Sequence, residues 1–409
     1  MDCIKIIIII LTLFFLLYFI NKPYLKYHGE FKGQDEYLNT NTYKHSNIVF
    51  CTLDYNSDKG IEIMEKRLIE YLNKKFCILR YKISDDANSF YYLNQKSNKL
   101  VKKILYKVDS LPPEKYCTDL MLKSRLGLVF FMTKKQILII ANHQVVDGIR
   151  IFNILNELFD NPIIDQKFIP PFNYLPIITE LYTLPKLPWI LSKLPKRHLS
   201  YDLPWEKIPE CYHGEHNGKL EEIKNVKSYI EEKVLKKKIP FSCVLSGLVV
   251  CKLFDNLNNK KNKLTIGIIA AFKNKSFFNN FSVIPVEVRK NKNWNKMSFK
   301  QKFTEIILFI NDYVYKWGES YLVTNYVITN IYNLKFYINN FIDILIANLP
   351  TTQPFRFGNN DLELTSLDLK YISFPMYVNM LSWNGKYKIT YTSRTKDINN
   401  KNFIKNGLI

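Results

Sequence analysis

Nine of the chain's seventeen prolines fall between Pro162 and Pro209, and no other feature of the 409 residues constrains the fold as much. Proline fixes φ and removes a backbone donor, so such a stretch supports neither a helix interior nor a central strand. It predicts an extended crossover that divides the chain into two halves of similar size. The crossover is no solvated linker, because residues 183–197 (TLPKLPWILSKLPKR) keep Leu, Ile and Trp. It reads as a strap packed across two lobes, with a second contact to a membrane surface as the alternative.

Each half mixes strand and helix patterns. In the first, 48–56 (IVFCTLDYN) reads as a strand, and 61–73 carries apolar residues at helical spacing. Residues 127–132 and 136–141 are two apolar, β-rich runs around Thr133-Lys134-Lys135, a hairpin signature. A helix over 149–159 follows at once, with Ile151, Ile154, Leu155 and Leu158 on one face. In the second half, helical stretches at 221–238 and 241–257 precede strand-like runs at 264–271 and 281–288. Long amphipathic segments cover 299–317 and 323–345. Strands close the chain at 362–369, 375–382 and 386–393, the last two joined by a turn at Trp383-Asn384-Gly385. The pattern predicts a pseudo-duplicated α/β protein, although no repeat is visible in the letters.

The N-terminus belongs to another solvent regime. Residues 4–20 (IKIIIIILTLFFLLYFI) hold one charge, Lys5, and no small-residue cleavage site follows. The run is at the short end of a transmembrane helix and longer than an ordinary signal-peptide core, so it predicts a retained anchor. Lys22, Lys26 and Lys32 on its C-terminal side place the bulk of the chain in the cytosol. The short span suits a thin bilayer, such as the endoplasmic reticulum or another internal membrane. The expected division is an anchor at 1–22, a first lobe at 23–161, a proline-rich crossover at 162–220 and a second lobe at 221–409.

Charge alone names no function. The formal +21 would raise nucleic acid as a partner, but Lys travels with Asn, Ile and Tyr along the whole chain. That is the look of an AT-rich coding sequence rather than of a dedicated basic patch, and no nucleic-acid partner is expected. The seven cysteines are widely spaced, with no CxxC and no Cys/His grouping of zinc-ligand spacing. They read as reduced, small apolar residues, and no metal site is expected.

One cluster carries chemistry: Ala141-Asn142-His143-Gln144-Val145-Val146-Asp147-Gly148, at the exit of the apolar strand. A His at a strand end can project into a cleft, and the Asp four residues on can pair with a basic group or cap the next helix. Gly148 offers backbone freedom at the helix start. Here the chain resembles the chloramphenicol-acetyltransferase-like acyltransferase superfamily, whose active-site motif is HxxxDG. About 260 residues follow His143, which fits the two-lobed members rather than those with the motif near the C-terminus. Condensation domains and wax ester synthase/diacylglycerol acyltransferases are the members it is most similar to. Cys77-Ile78-Leu79-Arg80 looks like the P-x-L-R entry of the latter branch, with Cys in place of Pro. Residues 279–286 (NNFSVIPV) resemble its GN…LPV stretch, Asn348-Leu349-Pro350 its SNVPGP segment, and Ser382-Trp383-Asn384-Gly385 its SYDG hairpin. Asn142 stands where that branch carries the first His of HHxxxDG. The resemblance spans roughly residues 45–395.

What the resemblance implies is a two-lobed α/β fold and direct acyl transfer, with acyl-CoA as co-substrate and no bound cofactor. His143 would act as general base on an acceptor hydroxyl, Asp147 would hold the loop, and Asn280, Ser282 and Asn348 are candidate substrate or oxyanion groups. The expected activity is O-acylation of a lipid or long-chain alcohol at a membrane. A small alcohol or amine acceptor, or an inactive binding scaffold of the same fold, are the alternatives. The oligomeric state stays open.

Overall fold

The computed structural model describes residues 28–30, 48–55, 59–74, 77–86, 89–161, 195–200, 211–257, 261–271, 281–331, 341–350, 355–369 and 375–399, with a few isolated positions besides. The expected anchor at 4–20 and most of the proline-rich stretch lie outside them. Among the described residues no helix is long and apolar enough to cross a membrane.

The first half runs β1 (His28–Glu30), β2 (Ile48–Asp54), α1 (Gly60–Leu72), β3 (Tyr81–Ile83), β4 (Ser89–Tyr92), α2 (Ser97–Ile104), β5 (Leu105–Lys107), α3 (Glu114–Ser124), β6 (Leu128–Met132), β7 (Gln136–Asn142) and α4 (Gly148–Leu158). The second continues with β8 (Tyr212–Lys219), α5 (Leu220–Tyr229), α6 (Phe241–Asn256), β9 (Lys263–Ala271), β10 (Phe281–Arg289) and α7 (Phe299–Ile331). It ends with β11 (Ile344–Pro350), β12 (Arg356–Phe357), β13 (Asn360–Asp361), β14 (Glu363–Leu369), β15 (Met376–Trp383) and β16 (Lys386–Ser393). Two mixed sheets form the body, in the orders β14-β2-β7-β6-β5 and β10-β9-β11-β15-β16-β8. A small sheet, β1-β4-β3, flanks the first.

The apolar run of β7 lies between β2 and β6, antiparallel to both, and every residue from Ile137 to Asn142 is buried. A strand covered on both faces needs such an uninterrupted apolar run. Helix α6 is similarly apolar all round and buried along most of its length, so Cys243 and Cys251 sit in the second core. Burial raises both thiols to about 12 and Cys77 to about 11. None of these three offers a thiolate near neutral pH.

Sheet membership cuts across the expected segments. β8 falls inside the predicted crossover yet completes the edge of the second sheet on β16. β14 belongs by sequence to the second half but pairs antiparallel with β2 in the first sheet. β16 fastens β14 with side chains at a constant offset of 23 residues. Lys386 Nζ meets Glu363 Oε1 at 2.8 Å, Lys388 donates to the carbonyl of Thr365, and Thr392 Oγ1 donates to Leu369 O at 2.8 Å. Thr365 is the irregular position of the β14–β2 ladder, where the register shifts between Leu364 and Ser366. The buried ammonium of Lys388 thus meets a carbonyl where the ladder is interrupted, and also pairs with Glu215 at 2.8 Å. The helical pattern read across 323–345 is corrected at its end: α7 runs unbroken through Gly318, and Ile344 opens a strand. β11 is an inner, parallel strand between β9 and β15, and such strands read as apolar runs that spacing alone does not separate from helix.

The far end of α4 is braced by Arg67 of α1. Its guanidinium donates to Leu158 O and to Asp160 Oδ1, both at 2.6 Å, while Asp160 Oδ2 accepts from the Asn359 N–H at 2.7 Å. Burial alone would raise the Asp160 carboxyl, but Arg67 and the N–H groups of Asn359 and Gly358 outweigh it and hold it below the ordinary carboxylate range. A depressed folded pKa contributes stability that is present above the unfolded value and lost as pH falls through the folded one. Asp160→Asn should therefore cost about 1 kcal/mol at neutral pH. The difference from wild type should vanish as urea midpoints are followed down through the carboxylate range, and a difference independent of pH would contradict the assignment.

Candidate functional site

The HxxxDG segment is the turn between β7 and α4. Asn142 builds it: its N–H donates to Gly127 O at 2.8 Å, its carbonyl accepts from Val145 and Val146, both at 3.0 Å, and its Oδ1 accepts from the Gln144 N–H at 3.1 Å. A side chain accepting from the backbone two residues on is the Asx turn, which a short carboxamide makes and an imidazole in its place does not reproduce. Val145 and Val146 are fully buried and pin the turn to the first core. His143 between them is half-buried, with Nδ1 shut off from solvent.

Asp147 caps α4. It is 3% exposed, with extended backbone (φ −82°, ψ 174°), and its Oδ1 accepts from the Arg150 N–H at 2.7 Å. That is the geometry by which an N-cap carboxylate satisfies a first-turn donor and meets the positive end of the helix dipole.

Gly148 plays a part other than the expected one. It is absent from the left-handed positions, which among the described glycines are Gly358 and Gly385, so no unusual backbone angle requires it. A Cβ at Gly148 would instead lie 2.9 Å from Leu349 Cδ2 and 3.0 Å from Cδ1. Leu349 comes from β11 of the second sheet and packs onto the first core. The missing side chain therefore lets the two sheets meet beside the His143 turn. Gly148→Val should displace Leu349 and cost about 2 kcal/mol, and Leu349→Ala in the same chain should recover about half of it. Urea midpoints of the two single variants and the double variant measure that coupling, and additive effects would refute the contact.

The second-sheet candidates are brought to this place only in part. Asn348 precedes Leu349, but strand alternation puts it on the face of Ile344, Ile346 and Met380, which form the second core. Its Oδ1 is buried and accepts no hydrogen bond among the described residues. Ser282 lies on β10, the sheet edge, opposite Ala270 of β9. Asn280 is outside the described residues. Sequence reasoning missed Leu349 as a contact, and also Asn379 and Trp383. These two share a face of β15 with Leu381, and Leu381 and Trp383 pack into the first core. Asn379 Oδ1 and Trp383 Nε1 are buried and without partners among the described residues. Apolar neighbours hide all three in the sequence. A cleft of about 820 Å³ lined by Asp54, Lys107, Lys134 and Gln136 opens at the opposite end of β7. At about 3.3 Å per strand residue it is roughly 20 Å from His143, so it is no part of this site.

Two sheets joined by an exchanged strand, with a His-bearing turn where they meet, describe the chloramphenicol-acetyltransferase-like fold. Solved structures agree. The chain is similar to TRI3 trichothecene 15-O-acetyltransferase from Fusarium sporotrichioides, with a TM-score of 0.64 and 11% identity over 90% of both chains. It is similar to the condensation domain of the monacolin K polyketide synthase MokA, at 0.60 and 10% over 93% of this chain and 96% of that one. A mutant starter condensation domain of rhizomide synthetase in complex with C8-CoA gives 0.58 and 8% over 91% of each. No protein-family model and no curated protein matches the chain. The chain has the fold of the condensation-domain and related acyltransferases.

Proposed function

We propose that this chain is an acyltransferase that moves an acyl group from acyl-CoA to a hydroxyl of a lipid or long-chain alcohol, with His143 as general base. The observation that carries the reading is the place of His143. It sits on a capped strand-to-helix turn at the meeting of the two sheets, in a fold shared with acyl-transferring enzymes. With Nδ1 enclosed and the ring half covered, base chemistry falls to Nε2. Nε2 takes the proton of the acceptor hydroxyl as its oxygen attacks the thioester carbonyl. The C–S bond breaks, the proton passes to the departing thiolate, and the products are an ester and free CoA. No enzyme nucleophile is required. Asp147 holds the loop, and Asn379 and Trp383 supply polar atoms near the junction for a carbonyl or hydroxyl. Ser282 on β10, Asn348 on β11 and Asn280 are the further candidates. Residues 4–20 would anchor the chain in an internal membrane with its lobes in the cytosol, beside apolar acceptors.

The test is the purified full chain with labelled acyl-CoA of graded chain length and four acceptors: diacylglycerol, a long-chain alcohol, a short alcohol and an amine. Ester formation on the first two supports the reading. Preferred transfer to the short alcohol or the amine replaces the acceptor class, and no transfer to any acceptor overturns acyl transfer.

A further inference from the structure

Helix α7 presents an exposed stripe that does not fit a helix merely facing water. Positions 305, 308, 309, 312, 315 and 316 recur at helical spacing on its outer side, and three of them are large and apolar. Tyr315 is 84% exposed, Phe309 46% and Leu308 38%. Beside them, α5 ends in one turn of π-helix, Ile230–Leu235, and then turns left-handed at Lys236 (φ +51°). Glu231 holds this turn closed by accepting from the Ile239 N–H at 2.7 Å and pairing with Lys227 at 2.5 Å. The braced turn displays Lys236, Lys237 and Lys238, all exposed, with Lys233 before them. Lys237 Nζ lies 5.3 Å from the Tyr315 ring centre, and Lys300 Nζ 4.1 Å from that of Tyr229, itself 37% exposed. Lysines and rings thus make one continuous face. Glu232, Glu305 and Asp312 are the acids beside it, and Glu305 already accepts from the Asn291 carboxamide at 2.8 and 2.9 Å.

We propose that this face of the second lobe docks on an anionic bilayer surface. Aromatic side chains beside a cluster of lysines match the boundary between acyl chains and charged headgroups, where rings enter and ammonium groups stay with phosphate and carboxylate. Each lysine near such a surface strengthens partitioning about five-fold, so three together exceed a hundred-fold. The proposal stands apart from the acyl-transfer reading and from the anchor at 4–20, since it concerns residues 229–238 and 300–316. It gives the basic balance of the chain one local use.

The experiment places an environment-sensitive fluorophore on Tyr315→Cys in the full chain carrying Cys3→Ser and Cys211→Ser, exchanging one aromatic group for another. Vesicles of phosphatidylcholine with phosphatidylserine as the minority lipid should shift its emission to the blue, and pure phosphatidylcholine should not. High salt should reverse the shift. Combined Lys236→Glu, Lys237→Glu and Lys238→Glu should weaken the response at least about a hundred-fold. These side chains are exposed, and an unchanged urea midpoint will show that the variant folds. Phe309→Ser is the independent arm and should weaken binding without altering its salt dependence. No shift with phosphatidylserine, an equal shift with both lipids, or a shift produced by RNA and not by vesicles would each overturn the proposal.

Discussion

Replacing His143 by alanine should lower acyl transfer by two or more orders of magnitude and leave the fold intact. General-base help by a positioned imidazole contributes about 10²–10⁴-fold, and no neighbour in the turn replaces it. Asn142 and Gln144 are buried amides, Asp147 is the cap of α4, and burial holds Cys77, Cys117, Cys243 and Cys251 as thiols. The side chain of His143 is half-buried and outside the apolar cluster that holds Val145 and Val146, so its loss opens little cavity. The measurement is turnover of labelled acyl-CoA with the preferred acceptor, beside urea midpoints for both proteins. A variant that folds as wild type and retains full turnover removes His143 from the chemistry. Asp147→Asn keeps the cap geometry and should mainly loosen the loop, so its loss of turnover should be the smaller.

The largest effect on stability is expected far from the motif, at Asp343. This carboxylate is fully buried just before β11. It accepts from the backbone N–H groups of His198 at 2.8 Å, Leu199 at 2.6 Å and Thr265 at 2.7 Å. It thereby ties the end of the proline-rich segment to β9 and β11. Around it, Thr265 Oγ1 donates to Lys196 O at 2.7 Å, Lys261 donates to His198 O at 2.8 Å, and His198 Nε2 lies 3.0 Å from Glu287. Asp343→Ala leaves three enclosed donors unsatisfied, which should cost about 4 kcal/mol. Asp343→Asn keeps the shape and one acceptor oxygen and should cost about half as much. Urea midpoints at a common slope check both, and an Asp343→Ala loss near zero would mean that the donors find other acceptors.

How much of this was legible in the sequence depends on the range of the interaction. The β6–β7 hairpin, α4 and the β15–β16 hairpin were readable because their causes are local. Thr133 accepts from the N–H groups of Lys135 and Gln136, and Asn384 and Gly385 both take positive φ, which a two-residue turn between strands requires. HxxxDG was readable for the same reason, since turn, cap and helix start lie within eight residues. The strand character of β14 was equally plain, but not its sheet, because alternation tells which face is apolar and not what will cover it. β8 was hidden for a related reason. Its residues, Tyr212–Lys219, are largely exposed and hold two glycines and two histidines. Only its register against β16, where Gly214 and Gly218 lie under the rings of Tyr391 and Tyr387, makes it a strand.

Arg80 shows the same boundary from the side of charge. The sequence offered it as part of a strand entry; the structure buries it and spends its guanidinium on Leu72 O, Leu93 O, Gln95 O and Ser97 Oγ. A buried guanidinium is tolerated only where acceptors surround it, and these four come from segments 8 to 17 residues away.

By itself the sequence determined the mixed α/β pattern and the His-bearing turn, because each follows from residues close together in the chain. Only the tertiary structure decided that β14 changes sheets, that Leu349 meets Gly148 across the junction, and that Asp343 ties the crossover to β11. Those contacts join residues from about eighty to about three hundred and twenty positions apart, and their free energy comes from burial and hydrogen bonds that do not exist until both partners are in place.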